Sequence, residues 1–135
     1  MSKMIFVNLP VTDLSRSKTF YEQIGLSNNA QFSDDTTACM VLSETISVML
    51  LTHDKWRTFT DRPIPSPSAS EVMLAVSCES RDEVDRLNSA ASANGGTADA
   101  NPVQDLGFLY NRSFTDPDGH LWEAVYMDFS AVPAS

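Results

Sequence analysis

The same local grammar occurs twice along this chain: an apolar strand, a capped helix, a glycine stop and then a run of strands. Met4-Ile5-Phe6-Val7-Asn8-Leu9 is apolar and β-branched with little polar alternation, which predicts a strand covered on both faces. Pro10 withholds a ladder donor, so it ends that strand or places it at a sheet edge. Asp13 then caps a helix whose Leu14, Ser17, Phe20, Tyr21 and Ile24 recur at helical spacing, and Gly25 terminates it. From Phe32 to Thr52 the pattern is strand-like. Ala38-Cys39-Met40-Val41-Leu42 leads through a Ser43-Glu44 turn into Ile46-Ser47-Val48-Met49-Leu50-Leu51.

The stretch from Asp61 to Ser70 carries three prolines and three serines and reads as a connector. After it the grammar repeats. Val72-Met73-Leu74-Ala75-Val76 is an apolar strand, and Ser80-Arg81-Asp82-Glu83 is a capping box. Val84, Leu87, Ala90 and Ala91 form the buried stripe of the second helix, which Gly95-Gly96 ends. Strands follow at Phe108–Phe114 and Leu121–Met127, joined by Asp116-Pro117-Asp118-Gly119, which suits a type I turn. The pattern predicts an α+β chain of tandem βαβββ modules: module one about 3–60, connector about 61–70, module two about 71–130. At 135 residues the whole makes one domain with a real core. Two unrelated α+β halves remain the alternative on pattern alone.

Composition narrows the partners. Nine Lys and Arg against eighteen Asp and Glu give a net charge of -9. Such a surface repels phosphate backbones and anionic lipid, which argues against nucleic acid and membrane partners, although acidity also simply favours solubility. Cys39 and Cys78 each sit in an apolar run, too few and too far apart for a disulfide framework, and point to a reducing compartment. Met1-Ser2-Lys3-Met4 starts no long apolar leader, and no stretch approaches a membrane span, so the expected location is cytoplasmic.

Two phrases carry a resemblance. Val11-Thr12-Asp13-Leu14-Ser15-Arg16-Ser17, with Phe20-Tyr21 and Gly25-Leu26, resembles the opening strand-to-helix phrase of the vicinal-oxygen-chelate superfamily. Phe114-Thr115-Asp116-Pro117-Asp118-Gly119-His120-Leu121-Trp122-Glu123 resembles its closing hairpin. That superfamily holds glyoxalases, bleomycin-resistance proteins and extradiol dioxygenases. The resemblance implies a curved mixed sheet around a cavity, and members that commonly pair as homodimers. In the enzymes a divalent metal (Ni, Zn, Mn or Fe) is held by four side chains, one from the first and one from the last strand of each module. It acts as a Lewis acid on vicinal oxygens of the substrate. Carried onto this chain, the four positions fall on Phe6, Leu50, Val72 (or Glu71 one residue away) and Glu123. Only Glu123 is a competent ligand, so no cofactor is firmly implied. The resemblance implies a glyoxalase-like small-molecule-binding protein: a divergent lyase (lactoylglutathione lyase-like), isomerase or dioxygenase without the usual metal set. A non-catalytic, drug- or metabolite-sequestering protein of the bleomycin-resistance type is the alternative.

The residues also suggest a site of their own. Alternation puts Leu121, Glu123, Val125 and Met127 on one strand face. Closing the turn with Thr115 opposite His120 sets Arg112 opposite Glu123, which predicts a cross-strand ion pair or a substrate-orienting pair. Glu123 is the candidate catalytic residue. Phe6, Asn8, Leu50, Val72, Tyr110 and Arg112 are the candidate ligand-binding set. His53 beside Asp54 is a general base or a loop residue, and His120 belongs to the turn. Trp56 and Phe59 form an aromatic lid or a dimer contact. No Gly-rich phosphate loop, GxSxG, HExxH or CxxC pair occurs, which sets aside nucleotide, hydrolase and zinc-protease chemistry.

Overall fold

The computed structural model describes residues 2–132 and divides the chain into two compact units, Met1–Ser66 and Pro67–Ser135. The division falls inside the Pro/Ser segment.

In the first unit β1 (Ile5–Val11) leads into α1 (Leu14–Gln23). Asp13 caps α1 by accepting the Arg16 N–H at 3.1 Å. At the other end Gly25, at φ +107°, lets the Leu26 N–H reach back to the Tyr21 carbonyl at 2.9 Å, which satisfies an orphan carbonyl of the last turn. Then come β2 (Ser27–Asn28), β3 (Thr37–Val41) and β4 (Ile46–Thr52), and a one-turn helix α2 (His53–Trp56). The sheet order is β1-β4-β3-β2, with β1 parallel to β4 and the other pairs antiparallel. Pro10 lies within β1, and β1 is an edge strand, where a missing N–H is tolerated. Ser17, Phe20 and Tyr21 of α1 and Ile24 at its C-cap are buried, as are Leu9, Val11, Ala38, Met40, Val48 and Leu50, which alternate onto one face of the sheet. That face holds the core of the unit.

The second unit repeats the plan. β5 (Leu74–Cys78) precedes α3 (Arg81–Ala93), followed by β6 (Thr97–Ala98), β7 (Gln104–Asp105), β8 (Leu109–Thr115) and β9 (Leu121–Met127). The order is β5-β9-β8-β6 with β5 parallel to β9, and β7 pairs with β8 as an addition. The α+β class and the duplicated βαβββ topology are therefore observed. The second capping box differs from expectation in one bond. Ser80 accepts the Glu83 N–H at 3.1 Å, but the Glu83 carboxylate reaches the Glu79 N–H at 3.2 Å. Ala90 is only half-buried, and Asn88 takes its place in the core. Its amide is answered twice, donating to Asp99 at 2.8 Å and accepting the Asp99 N–H at 3.1 Å.

The hairpin between β8 and β9 departs from expectation in register. The Gly119 N–H donates to the Asp116 carbonyl at 3.1 Å, closing the four-residue turn, and the Asp116 N–H donates to the His120 carbonyl at 3.0 Å. His120 thus belongs to the loop, and Thr115 pairs with Leu121 instead. The buried Asp116 carboxylate fixes this loop by accepting the Asp118 and His120 N–H groups, each at 2.9 Å. One additional loop residue shifts every cross-strand pair by one and exchanges the faces of the partner strand.

Candidate functional site

In the first unit the sheet face opposite the core carries Phe6 and Asn8 of β1, Ser47 and Met49 of β4, and Cys39 and Val41 of β3. Cross-strand pairing aligns them: Phe6 with Ser47, Asn8 with Met49, Cys39 with Met49, and Val41 with Ser47. The loop after β2 rises over this face. Asn29 caps a single 3-10 turn, Ala30–Phe32, and the Ser33 hydroxyl accepts the Cys39 N–H at 3.0 Å while donating to the Asn29 carbonyl at 2.7 Å. The loop is thereby stitched to β3, and Phe32 joins Met4, Phe6, Cys39, Val41 and Met49 around a cavity of about 570 Å³. Asn29, Ser43, Glu44 and Ser47 supply its polar lining.

A smaller cavity of about 240 Å³ continues along the same face, between Asn8, Leu51, Trp56, Phe59 and Thr60. Thr52 caps α2 by accepting the Lys55 N–H at 3.2 Å, which sets Trp56 at the end of β4. The Lys55 ammonium lies 5.4 Å from the centre of the Phe59 ring, a cation–π contact. The structure therefore brings Asn8, Trp56 and Phe59 together. His53 opens α2 and is not among the residues lining either cavity.

In the second unit the expected Arg112–Glu123 pair is not made. Arg112 is opposite Ala124, and Glu123 is opposite Ser113 and beside Ala75. Arg112 points to the α3 side, where it donates to Asp99 through two nitrogens at 3.0 and 2.8 Å and to Asp85 at 2.9 Å. The Tyr110 hydroxyl donates to the same Asp85 at 2.6 Å. These bonds have electrostatic consequences. The Tyr110 hydroxyl and then Arg112 hold the Asp85 carboxyl below its ordinary value, and Arg112 does the same to Asp99. The Asp85 hydrogen bond raises the Tyr110 phenol. Tyr110 and Arg112 are therefore committed to fastening α3 to β8, because both face the helix and neither shares a face with Glu123. On the other face Glu123 has no hydrogen-bond or ion-pair partner among the described residues.

Comparison with known proteins assigns the family. The sequence profile of the Glyoxalase/Bleomycin resistance protein/Dioxygenase superfamily matches residues 3–124. The chain belongs to that superfamily. No curated protein matches the sequence. Among solved structures, a hypothetical protein from S. aureus is similar at 25% identity and a TM-score of 0.77, over 93% of this chain and 95% of that one. A genomically encoded fosfomycin resistance protein from Listeria monocytogenes is similar at 18% identity and a TM-score of 0.66, over 100% and 96%. An antibiotic binding protein from a Streptomyces species is similar at 20% identity and a TM-score of 0.62, over 94% and 97%.

The duplication now tests where the superfamily's four metal-ligand positions fall. Val7 and Leu74 stand at the same distance before their helix caps, Asp13 and Ser80, and they pair with Val48 and Trp122. Phe6 therefore corresponds to Met73, and Met49 to Glu123. Two sequence-based assignments change. Leu50 is 0% exposed on the core face of β4, so it cannot line a cavity on the other face. Val72 lies before β5 begins at Leu74, one residue out of step with Met73. The corresponding set is Phe6, Met49, Met73 and Glu123. Phe6, Met49 and Met73 each lack the nitrogen or carboxylate oxygen donor that a hard or borderline divalent ion takes, so these positions do not fit the metal of the superfamily's enzymes. No group of three or more His, Cys, Asp or Glu among the described residues is arranged to hold a metal ion. Met49 was readable in the sequence by aligning the two halves on their helix caps. Phe32 and Val41 were not, because an irregular loop carries no period.

Proposed function

We propose that this protein binds a flat, apolar, drug-sized molecule on the open sheet face of its first unit and sequesters it without a bound divalent metal. The cavity of about 570 Å³ lined by Phe6, Phe32, Val41 and Met49 is the observation that carries this reading. Its size suits such a ligand, and flexible thioethers adapt to varied aromatic surfaces. Superfamily membership supports a small-molecule partner, and two proteins of the same fold are described as a fosfomycin resistance protein and an antibiotic binding protein. Binding is favoured over lyase, isomerase or dioxygenase chemistry because the cavity lining offers one carboxylate, Glu44, and one thiol, Cys39, but no imidazole. The unpartnered Glu123 supports a second reading, in which it is the catalytic carboxylate of a divergent lyase or isomerase. Free Cys39 and Cys78 suit a reducing cytoplasm, and no described helix is long and apolar enough to cross a membrane. Self-association belongs to the same reading. β1 is an open edge strand, and its Ile5 and Phe6 are 59% and 53% exposed.

The test is calorimetry and thermal shift with a panel of flat aromatic compounds. A ligand at a hundred times its Kd should add about 2.7 kcal/mol of stability. Met49→Lys should abolish that gain while leaving the free protein folded. Nickel, zinc, manganese and iron(II) should each leave the melting temperature unchanged. Ligand binding that survives Met49→Lys, or tight one-to-one metal binding, overturns the proposal.

A further inference from the structure

The Nε1 atom of Trp56 is the buried side-chain donor that the described residues leave without a hydrogen-bond partner. An indole N–H can only donate, and burying it unmet carries a desolvation penalty comparable to a lost hydrogen bond. Across the same small cavity stands Asn8, the polar residue of an apolar strand, whose amide also has no partner among the described residues. Leu51 and Phe59 form the apolar walls, and the 240 Å³ volume suits a head group more than a whole drug-sized molecule. Asn8 is the cross-strand neighbour of Met49, so the two cavities follow one another along a single sheet face.

We infer that Trp56 and Asn8 form the polar anchor of the ligand site and select a molecule carrying a neutral carbonyl oxygen at one end of a flat apolar body. This rests on the binding role proposed above and adds the ligand's chemistry to it. The Trp56 N–H and the Asn8 amide N–H both donate to that oxygen, while the body lies over Met49 and Phe6. A ketone or amide fits better than a carboxylate. The cavity lining contains no Lys or Arg, Lys55 is engaged with the Phe59 ring, and the chain carries a net charge of -9. Phe59, 68% exposed, is the wall free to turn aside as the head group enters. A trapped water molecule would answer the same donor, and the experiment separates the two.

Isotope-labelled full-length protein is titrated with acetylnaphthalene and with ethylnaphthalene, which share a shape and differ by the carbonyl. The two indole N–H resonances and the methionine methyls are followed by NMR. Trp122, stacked on Phe114 with ring centres 6.4 Å apart, is the control indole. The ketone is expected to move the Trp56 indole proton downfield and to bind about tenfold more tightly than the hydrocarbon. Trp56→Phe should narrow the ketone's advantage over the hydrocarbon while both still move the Met49 methyl. Equal affinities, or a Trp56 resonance unmoved by the ketone while Met49 responds, overturn the anchor and favour water, leaving the binding role standing. Silence at both Met49 and Trp56 overturns both.

Discussion

Arg112 of β8 makes three charge-assisted hydrogen bonds, one to Asp85 of α3 and two to Asp99 just after β6, and Tyr110 adds a fourth bond to Asp85. Its side chain is 22% exposed and its partners are 48% and 39% exposed, so solvent screening reduces what each bond contributes. Arg112→Met should still cost about 2 kcal/mol, because it leaves two carboxylates side by side without their cation. Glu123→Gln should change stability by less than about 0.5 kcal/mol, since no partner is lost. Urea denaturation of both variants checks the pair, and the reverse order would restore the Arg112–Glu123 contact. The same cluster sets an acid response. The folded pKa values of Asp85 and Asp99 are depressed, so their contribution is complete above the unfolded carboxylate value of about 3.9 and is lost as pH falls through the lower folded values. Melting temperatures of the native protein should fall below about pH 4, and Arg112→Met should flatten that fall.

The elements owe their ends to local chemistry and their faces to the hairpin. Asp13 and Ser80 cap α1 and α3 as their sequence positions predict, because capping involves only the next few residues. The turn between β8 and β9 is a different matter. Asp-Pro-Asp-Gly named its location, but the loop extends to His120, and that single residue moved Arg112 to the face opposite Glu123. Gly119 holds this loop in two ways. It lies at φ +89°, where side chains are strained, and a Cβ there would collide with the backbone carbonyl of Pro67. Gly119→Ala should therefore cost about 2 kcal/mol or more, whereas Gly107→Ala at φ +84° meets no neighbouring atom and should cost less. Comparing the two melting temperatures separates the collision from the strain. Equal losses would mean that the close approach of Pro67 contributes nothing.

At the scale of the whole molecule, the self-association proposed above is open to a direct test. An open β1 edge with exposed Ile5 and Phe6 should pair with another copy, so sedimentation velocity should report twice 14.8 kDa. Replacing Ile5 with Lys should return the monomer, and a monomer in the native protein would refute the pairing. The duplicated plan was legible because caps, glycine stops and the Pro/Ser segment act through neighbours in sequence. Phe6, Asn8, Trp56 and Phe59 were legible as candidates because each breaks or borders an apolar run. Cys39, Val41 and Phe32 were not, and Leu50, Tyr110 and Arg112 were assigned to the wrong surface. The order of the elements is thus local information, carried by residues that satisfy one another's backbone groups within a turn or two. Which face of each strand meets the helix and which is left open depends on pairing between distant strands. There a shift of one residue costs little locally and reverses every side chain, so only the tertiary structure could decide it.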